Sequence, residues 1–328
     1  MNDVYVLGAG FSRWIGDTMP LMSDLAKGLP DDIRSRCTSM GLDLLLHEDR
    51  FESLVSCLYG DYPWKSEKDK HLQAPAYEDL IDYVRETVAT AESSAEKNLG
   101  RADVEPLIGF WKSNPPQVIT FNYDLLCEKL LDKALGTADW NEYWKLPITN
   151  VRHRTSPTVR ATFLGLAEWK RSPATPTKLH GSVNWLRGHR IGAPADPLYY
   201  YFPHAIDPIV ENSRQGLRPF IIPPAMDKSQ YLEHDLISVL WSPAKEKLAN
   251  ADRVFVIGYS FPESDLNVDL LLSITMKREK KVYIINSDNR REFTEHIRSV
   301  FDRYGIAPDT SHVQAIDPIK LFAETFTR

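Results

Sequence analysis

The sequence predicts an α/β fold: a Rossmann-like, parallel, doubly wound sheet carrying a helical insertion subdomain. Three observations lead there. Continuous short apolar runs recur at 3–7, 117–121, 253–257 and 281–285, which is how strands covered on both faces read. Segments with helical apolar spacing stand between them. Each run then stops at glycine or a small polar residue, the place where open α/β sheets receive ligands.

In chain order, 3–7 reads as a buried strand running into the glycine turn Gly8-Ala9-Gly10, and a helix is expected over about 22–27. From there to about Trp111 the spacing is helical. Phe51, Leu54, Val55 and Leu58 share one helix face, as do Tyr77, Leu80, Ile81 and Val84. A strand returns at 117–121, followed by a helix over 125–135. The stretch 137–235 is the least regular, rich in Pro, Trp, Tyr and His, with a strand-like Thr177-Lys178-Leu179 before His180-Gly181. Helices are expected over 236–250, 267–276 and 290–304, alternating with strands at 253–257, 281–285 and 312–316. This order assigns 1–20 and 112–328 to a Rossmann-like domain and 21–111 to the helical insertion.

Composition narrows the function classes. The chain has 328 residues, 43% hydrophobic and 26% charged, with 39 Lys plus Arg against 45 Asp plus Glu. A net charge of −6 is not that of a nucleic-acid clamp. No apolar stretch is long enough to span a bilayer, and the N-terminus lacks a basic region followed by an apolar core. A cytoplasmic protein without membrane or nucleic-acid contacts is expected. Its three cysteines, Cys37, Cys57 and Cys127, form no C-x-x-C pair. Neither a disulfide framework nor a cysteine-rich zinc module is therefore expected. Scattered basic groups at 152–154, 170–171 and 277–281 read as solvated faces, and the aromatic run 198–202 as a loop packing on the core or a protein interface.

Chemistry is sought where the strands end. Those positions carry Gly8-Ala9-Gly10-Phe11-Ser12, Asn122-Tyr123-Asp124, His180-Gly181-Ser182, Gly258-Tyr259-Ser260 and Asn286-Ser287-Asp288. All five are small or polar. The Gly8–Gly10 turn suits a dinucleotide pyrophosphate, because glycine lets the backbone approach phosphate and amides near a helix start carry partial positive charge. It is not the full G-x-G-x-x-G fingerprint, since Arg13 holds the third glycine position. An acidic residue at the end of a second strand is also missing, which disfavours an ordinary NAD-dependent dehydrogenase. Plain structural readings compete throughout. The glycines would make a tight turn, Asn122 a strand-end turn residue, Asp124 a cap for the following helix, His180 a buried turn histidine, Phe11 a core aromatic, and Asn286 with Asp288 a turn.

Taken in order, the five motifs resemble the sirtuin-like NAD-binding family. The Gly-Ala-Gly-x-Ser opening at Gly8 to Ser12, the Thr120-Phe121-Asn122-Tyr123-Asp124 segment, Leu179-His180-Gly181, and the later Gly-x-Ser and Asn loops match its pattern. The likeness runs from Val4 to about Ile316. It departs from protein-deacylating sirtuins in lacking two C-x-x-C pairs for a structural zinc. It also has Gly16-Asp17-Thr18-Met19-Pro20 where they have Gly-Ile-Pro-Asp-Phe-Arg. The segment from Gly258 through Asp265 to Asn267 looks instead like the zinc-less bacterial branch found in antiphage defence.

The resemblance implies hydrolysis of NAD+ to nicotinamide and ADP-ribose, depleting the cofactor during abortive infection. NAD+ is then substrate and no metal is needed. Asn122 would hold ribose hydroxyls or the attacking water, His180 would take a proton, and Asp124 would orient one of them or stabilise the sugar cation. Phe11 would lie over the nicotinamide. Gly8, Ala9, Gly10, Ser12, Gly258 and Ser260 would bind the phosphates, and Asn286 or Asp288 the adenosine ribose. Such an enzyme must be held silent, so a homo-oligomer controlled by a partner is expected, a HerA-type ATPase or a short Argonaute by the resemblance. The alternatives are a catalytically silent NAD+ or ADP-ribose binding module, and an ADP-ribosyl transferase or deacylase.

Overall fold

The computed structural model describes residues 2–136, 148–149, 162–163, 175–188, 198–201, 217–225, 235–288, 290–313 and 317–326. Its centre is a six-stranded parallel sheet. The strands are β1 (Asp3–Leu7), β2 (Gln117–Thr120), β5 (Thr177–Lys178), β9 (Arg253–Ile257), β10 (Lys281–Asn286) and β11 (Asp309–Val313), in the spatial order β11-β10-β9-β1-β2-β5. The short β3 (Ile148–Thr149) and β4 (Thr162–Phe163) pair antiparallel with each other. The chain steps outward from β1 through β2 to β5, crosses back to β9 on the other side of β1, and steps outward again. The order reverses between β1 and β9, and a doubly wound sheet opens its binding crevice at such a reversal.

Alternation along the strands builds two cores. Val4, Val6, Val254, Val256, Val282 and Ile284 face one side. There they meet helices α8 (Asp235–Ala249), α9 (Leu266–Thr275) and α10 (Arg291–Asp302). Tyr5, Leu7, Val118, Phe255, Ile257 and Ile285 face the other. That side is covered by α1 (Ala9–Ile15), α6 (Glu105–Ser113), α7 (Leu126–Leu135) and α11 (Pro318–Phe326). The in-register pairs Tyr5↔Phe255 and Tyr283↔Phe255 line three rings across neighbouring strands, with centroids 5.0 Å apart at each step. Cross-strand aromatic neighbours of this kind stiffen the pairing.

The helical run between β1 and β2 divides by its packing. Helices α2 (Met22–Lys27), α3 (Asp31–Ser39), α4 (Phe51–Tyr59) and the first part of α5 (Glu67–Ala95) share a core of Leu25, Ile33, Leu54, Leu58, Leu80 and Val84. The later part of α5 presents Val88, Ala91 and Ala95 to the sheet core together with α6. A capping box at Ser66, with Asp69 three residues on, starts α5. Among the described residues, no helix is long and apolar enough to cross a membrane.

Four features were not anticipated. Helix α1 follows β1 directly, held by the single apolar pair Phe11 and Ile15 on its buried face. Helix α11 closes the described chain through Ile319, Phe322 and Ala323. After His180, β6 (Gly181–Gly188) pairs antiparallel with β7 (Leu198–Tyr201) and β8 (Leu217–Ile221), so part of the aromatic run 198–202 is strand. Finally, Lys280 is not on a solvated face. It is buried and its Nζ donates to the carbonyls of Leu248, Ala249 and Ala251, at 2.8, 2.9 and 2.8 Å, at the end of α8. A cation there satisfies orphan carbonyls and the helix dipole together. The groups at 152–154 and 170–171 lie outside the described residues.

Candidate active site

A cleft of about 940 Å³ runs along the carboxyl ends of the parallel strands. Loops after β1, β2, β5, β9 and β10 all reach it. Gly8, Ala9, Gly10, Ser12, Asn122, Asp124, His180, Gly258, Ser260, Asn286 and Asp288 line its wall. Pro20, Leu21 and Glu52 from the helical module, Arg101, and the start of α11 complete it.

The glycines do more than clear space for a ligand. Gly258 sits at φ +64°, and a Cβ on it would lie 2.2 Å from the Phe11 nitrogen and 2.4 Å from the Gly10 carbonyl carbon. A Cβ on Gly8 would lie 2.6 Å from the Gly258 oxygen. The Gly8 and Gly10 amides donate to the Ile257 and Gly258 oxygens at 3.0 and 2.9 Å. Three glycines thus let the loop after β1 lie directly on the loop after β9. The Gly10 amide is used in that contact and is not open to a phosphate.

Phe11 departs from its expected role. It is fully buried and packs beside Trp14 and Trp111, with ring centroids 6.4 and 6.2 Å away. Its ring belongs to the core behind the sheet and does not line the cleft. In a helix, the residue after Gly10 falls on the inward face while Ser12 turns toward the β2 loop.

Ser12 joins the first two motifs through one buried network. Asn122 Nδ2 donates to the Gly8 carbonyl and to Ser12 Oγ, both at 2.9 Å, and Ser12 Oγ donates to Asp124 Oδ2 at 2.7 Å. The direction of each bond is fixed by chemistry. A carbonyl and an ionised carboxylate only accept, so Ser12 must give its proton to Asp124 and receive one from Asn122. The Asn122 amide hydrogens are then both committed, and its Oδ1 is left as an acceptor toward the cleft. Asn122 would therefore hold a ribose hydroxyl or a water by accepting, not by donating. The other Asp124 oxygen accepts the Leu126 amide at 3.1 Å in an Asx-type turn just ahead of α7, whose N-cap position is Leu125, so Asp124 leads into the helix without being its cap while it orients Ser12.

Charge is arranged beneath this network. Buried Lys178 donates to the Asp124 carbonyl at 2.5 Å and meets Glu128 at 2.9 Å. Glu92 accepts the Leu125 amide at 2.9 Å and pairs with Lys129 at 2.7 Å. Burial nevertheless dominates and pushes Glu92 up to about 7, with nearby Asp124 pushing the same way.

His180 ends the β5 segment. Gly181, at φ +78°, lets the chain turn into β6, because a Cβ there would meet the Phe220 oxygen at 2.2 Å. The His180 ring lies against Phe121, centroids 5.0 Å apart, and its Nε2 is 3.8 Å from Asp265 Oδ1. That is ion-pair range and too long for a hydrogen bond. The Tyr259 hydroxyl donates to the second Asp265 oxygen at 2.5 Å, and its ring stacks on Phe121 at 4.5 Å. Burial, reinforced by Asp265, holds the Tyr259 hydroxyl far above its ordinary pKa, so it stays a neutral donor.

Tyr259 and Asp265 were given no role in the sequence reading, although both lie in the Gly258–Asn267 segment singled out there. Only the fold brings them beside His180.

At the far end, Asn286 and Asp288 form the turn that their residue types favour. Asn286 Oδ1 accepts the Asp288 amide at 3.0 Å, and Asp288 is clasped by Arg290 Nε and Nη2 at 2.9 and 2.6 Å. Arg290 holds the Asp288 carboxyl below the usual range. Ser260 is exposed on the cleft wall. Arg13 and Arg101 also border the cleft, each turned to backbone carbonyls and to a carboxylate, Asp24 and Asp103 respectively. Among the described residues, no group of three or more His, Cys, Asp or Glu could hold a metal ion.

No protein-family model and no curated protein matches this sequence. Solved sirtuin structures align with it over nearly its whole length. One, from work on sirtuin substrate affinity, aligns at 14% identity and a TM-score of 0.45, covering 98% of this chain and 91% of the other. A second, from work on the mechanism and regulation of Sir2 enzymes, gives 14%, 0.42, 98% and 89% in the same order. A third, a Sir2 with a p53 peptide and NAD+, gives 14%, 0.39, 99% and 91%. At such scores the likeness carries no inference about chemistry.

Proposed function

We propose that this chain is an NAD+ glycohydrolase that cleaves NAD+ to nicotinamide and ADP-ribose. The observation that carries the reading is the fixed polarity of Asn122. A buried network spends both its amide hydrogens and leaves a carbonyl acceptor toward the cleft that also holds His180. An acceptor of that kind suits a ribose hydroxyl or a water held for attack. The volume of the cleft lies in the range of small-molecule and cofactor sites.

The chemistry asks little more. The C1′–N bond breaks with its electron pair going to nicotinamide, which leaves neutral and needs no acid. The sugar becomes oxocarbenium-like, water oxygen bonds to C1′, and its proton passes to His180 and then to solvent. Asp265 attracts the imidazolium formed on the way. Asp124 acts through Ser12 as a positioning residue. The glycine loops and Ser260 would lie along the phosphates, and the Asn286–Arg290 turn at the adenosine end.

The test is nicotinamide release from NAD+ by purified protein beside Asn122→Ala and His180→Ala. Release by wild type and little or none by either variant supports the reading, and undiminished turnover in either variant refutes the residue assignment. Tight NAD+ binding without release, with candidate partners present, would replace it with a silent binding module. Label retained on protein from NAD+ labelled in its ADP-ribose part would replace hydrolysis with transfer. A role in antiphage defence by NAD+ depletion, in a homo-oligomer held in check by a HerA-type ATPase or short Argonaute, belongs to the same proposal. Loss of phage protection in cells carrying His180→Ala is its test.

A further inference from the structure

A second cavity, of about 340 Å³, lies between the helical module and β8 and shares none of its lining residues with the cleft. Its walls come from three elements. Helix α5 contributes Lys70, Ala74, Tyr77 and Ile81, at i, i+4, i+7 and i+11, so one stripe of that helix faces it. The end of α4 adds Leu58 and Tyr59, and β8 adds Pro219, Phe220 and Ile221. The Tyr59 and Tyr77 rings have centroids 5.0 Å apart and are tilted by 39°. With Phe220 they give the cavity an aromatic lining. A volume and lining of this kind suit a small molecule with a flat apolar body.

The charged groups in the wall are Asp61, Lys65, Lys70 and Glu78, and they are unequal. Lys70 pairs with Asp61 at 2.8 Å and with Glu67 at 3.1 Å, so Lys70 and Asp61 answer each other. Glu78 is exposed. Lys65 is half-buried and forms no ion pair among the described residues. Its Nζ donates to the Cys57 carbonyl at 2.5 Å and stands 5.5 Å from the centroid of the Tyr62 ring. An ammonium carries three hydrogens, and one carbonyl does not neutralise its charge. Burial accordingly holds Lys65 below its ordinary pKa.

The chain fixes Lys65 in advance. Its amide donates to the Tyr62 carbonyl at 3.0 Å, closing a turn, and the next residue, Ser66, caps α5. Tyr62 stacks on Trp64, with centroids 4.7 Å apart and planes within 3°. A cation placed this way loses little freedom when an anion reaches it. We propose that the cavity is a binding site for a small aromatic anion, its ring system against Tyr59, Tyr77 and Phe220 and its carboxylate, sulfonate or phosphate on Lys65. The site is separate from the cleft, and the proposal does not depend on the hydrolase reading.

Fluorescence titration with two probes tests it: anilinonaphthalenesulfonate, a flat aromatic anion, and anilinonaphthalene, the same rings without the sulfonate. Wild type is expected to bind the anion saturably at one site per chain. Ala74→Trp fills the cavity from an exposed position and should abolish that binding with an unchanged circular dichroism spectrum. Lys65→Met keeps the apolar stem and removes the charge, so the anion should bind about tenfold more weakly. The neutral probe should bind wild type and Lys65→Met alike, and wild type about tenfold more weakly than the anion does. No saturable binding to wild type, or equal binding to Ala74→Trp, overturns the site. Equal affinity of wild type and Lys65→Met for the anion, or of wild type for the two probes, overturns recognition of the anion by Lys65. None of these readouts depends on turnover.

Discussion

Ser12→Ala is the sharpest probe of the site, because Ser12 both accepts from Asn122 and donates to Asp124. Removing the hydroxyl leaves an Asn122 hydrogen and the Asp124 Oδ2 atom without their partner. A buried polar group left unsatisfied costs about 1–3 kcal/mol. Water from the adjoining cleft recovers part of this, so the expected loss is about 2–4 kcal/mol in urea unfolding, read as a lower midpoint at unchanged slope. The larger effect is on turnover. Without Ser12 the Asn122 amide keeps only its bond to the Gly8 carbonyl and is held less firmly, and losing one positioned hydrogen bond costs up to roughly 10²–10³ in kcat. Nicotinamide release would be measured for Ser12→Ala, Asn122→Ala and the double variant. If Ser12 acts through Asn122, adding Ser12→Ala to Asn122→Ala changes kcat little. An undiminished Ser12 effect in the Asn122→Ala background would show that the hydroxyl works by another route and refute the polarity argument.

Three further outcomes are expected. Gly258→Ala forces an alanine to φ +64° and drives its Cβ into the Gly10–Phe11 backbone, so stability should fall by at least about 2 kcal/mol; an unchanged melting temperature would contradict the loop-on-loop packing. Asp265→Asn keeps a partner for Tyr259 but removes the charge 3.8 Å from His180, and kcat should drop about tenfold or more with KM for NAD+ nearly constant. Glu92 supplies a pH signature: with its pKa near 7 in the folded chain against 4.5 normally, the folded state keeps a proton that the unfolded state loses between those values. Stability from this group is full below about 4.5 and falls as pH rises through about 7, by about 3 kcal/mol in all. Glu92→Gln cannot ionise, so unfolding followed from about pH 5 to about pH 8 should show wild type losing stability relative to the variant; parallel curves would place the Glu92 pKa outside this window.

Some of this molecule is legible before any coordinates, for reasons that are local. Strands β1, β2, β9 and β10 are apolar on both faces and bounded by turn residues, and period alone finds them. Helix α2 and the insertion show because their buried positions recur at helical spacing. Helix α1 has only Phe11 and Ile15 to mark it, against two glycines flanking its start, and no period emerges from one pair. The β6–β7–β8 sheet was hidden because its partners are distant in the chain and its segments lack a clean alternation. Lys280 looked like one of a basic cluster, and only the end of α8, about thirty residues earlier, explains it.

The site divides along the same line, and the division bears on how strongly its motifs should count. Parallel strands joined by crossovers bring every carboxyl end to one edge of the sheet, whatever the chemistry. The convergence of five loops is therefore a consequence of topology once the strands are placed, and by itself it says little about a reaction. Even the glycines, which read as a phosphate turn, are accounted for by the contact of one loop with another. What topology does not demand is the directed chain from Asn122 through Ser12 to Asp124, or a carboxylate held by Tyr259 beside His180. Ser12 and Asp124 are 112 residues apart, and Tyr259 meets His180 through Phe121 and Asp265. A fold needs none of these bonds to close its sheet, and their placement at the mouth of the cleft is what makes the pocket a candidate for chemistry and not only for binding.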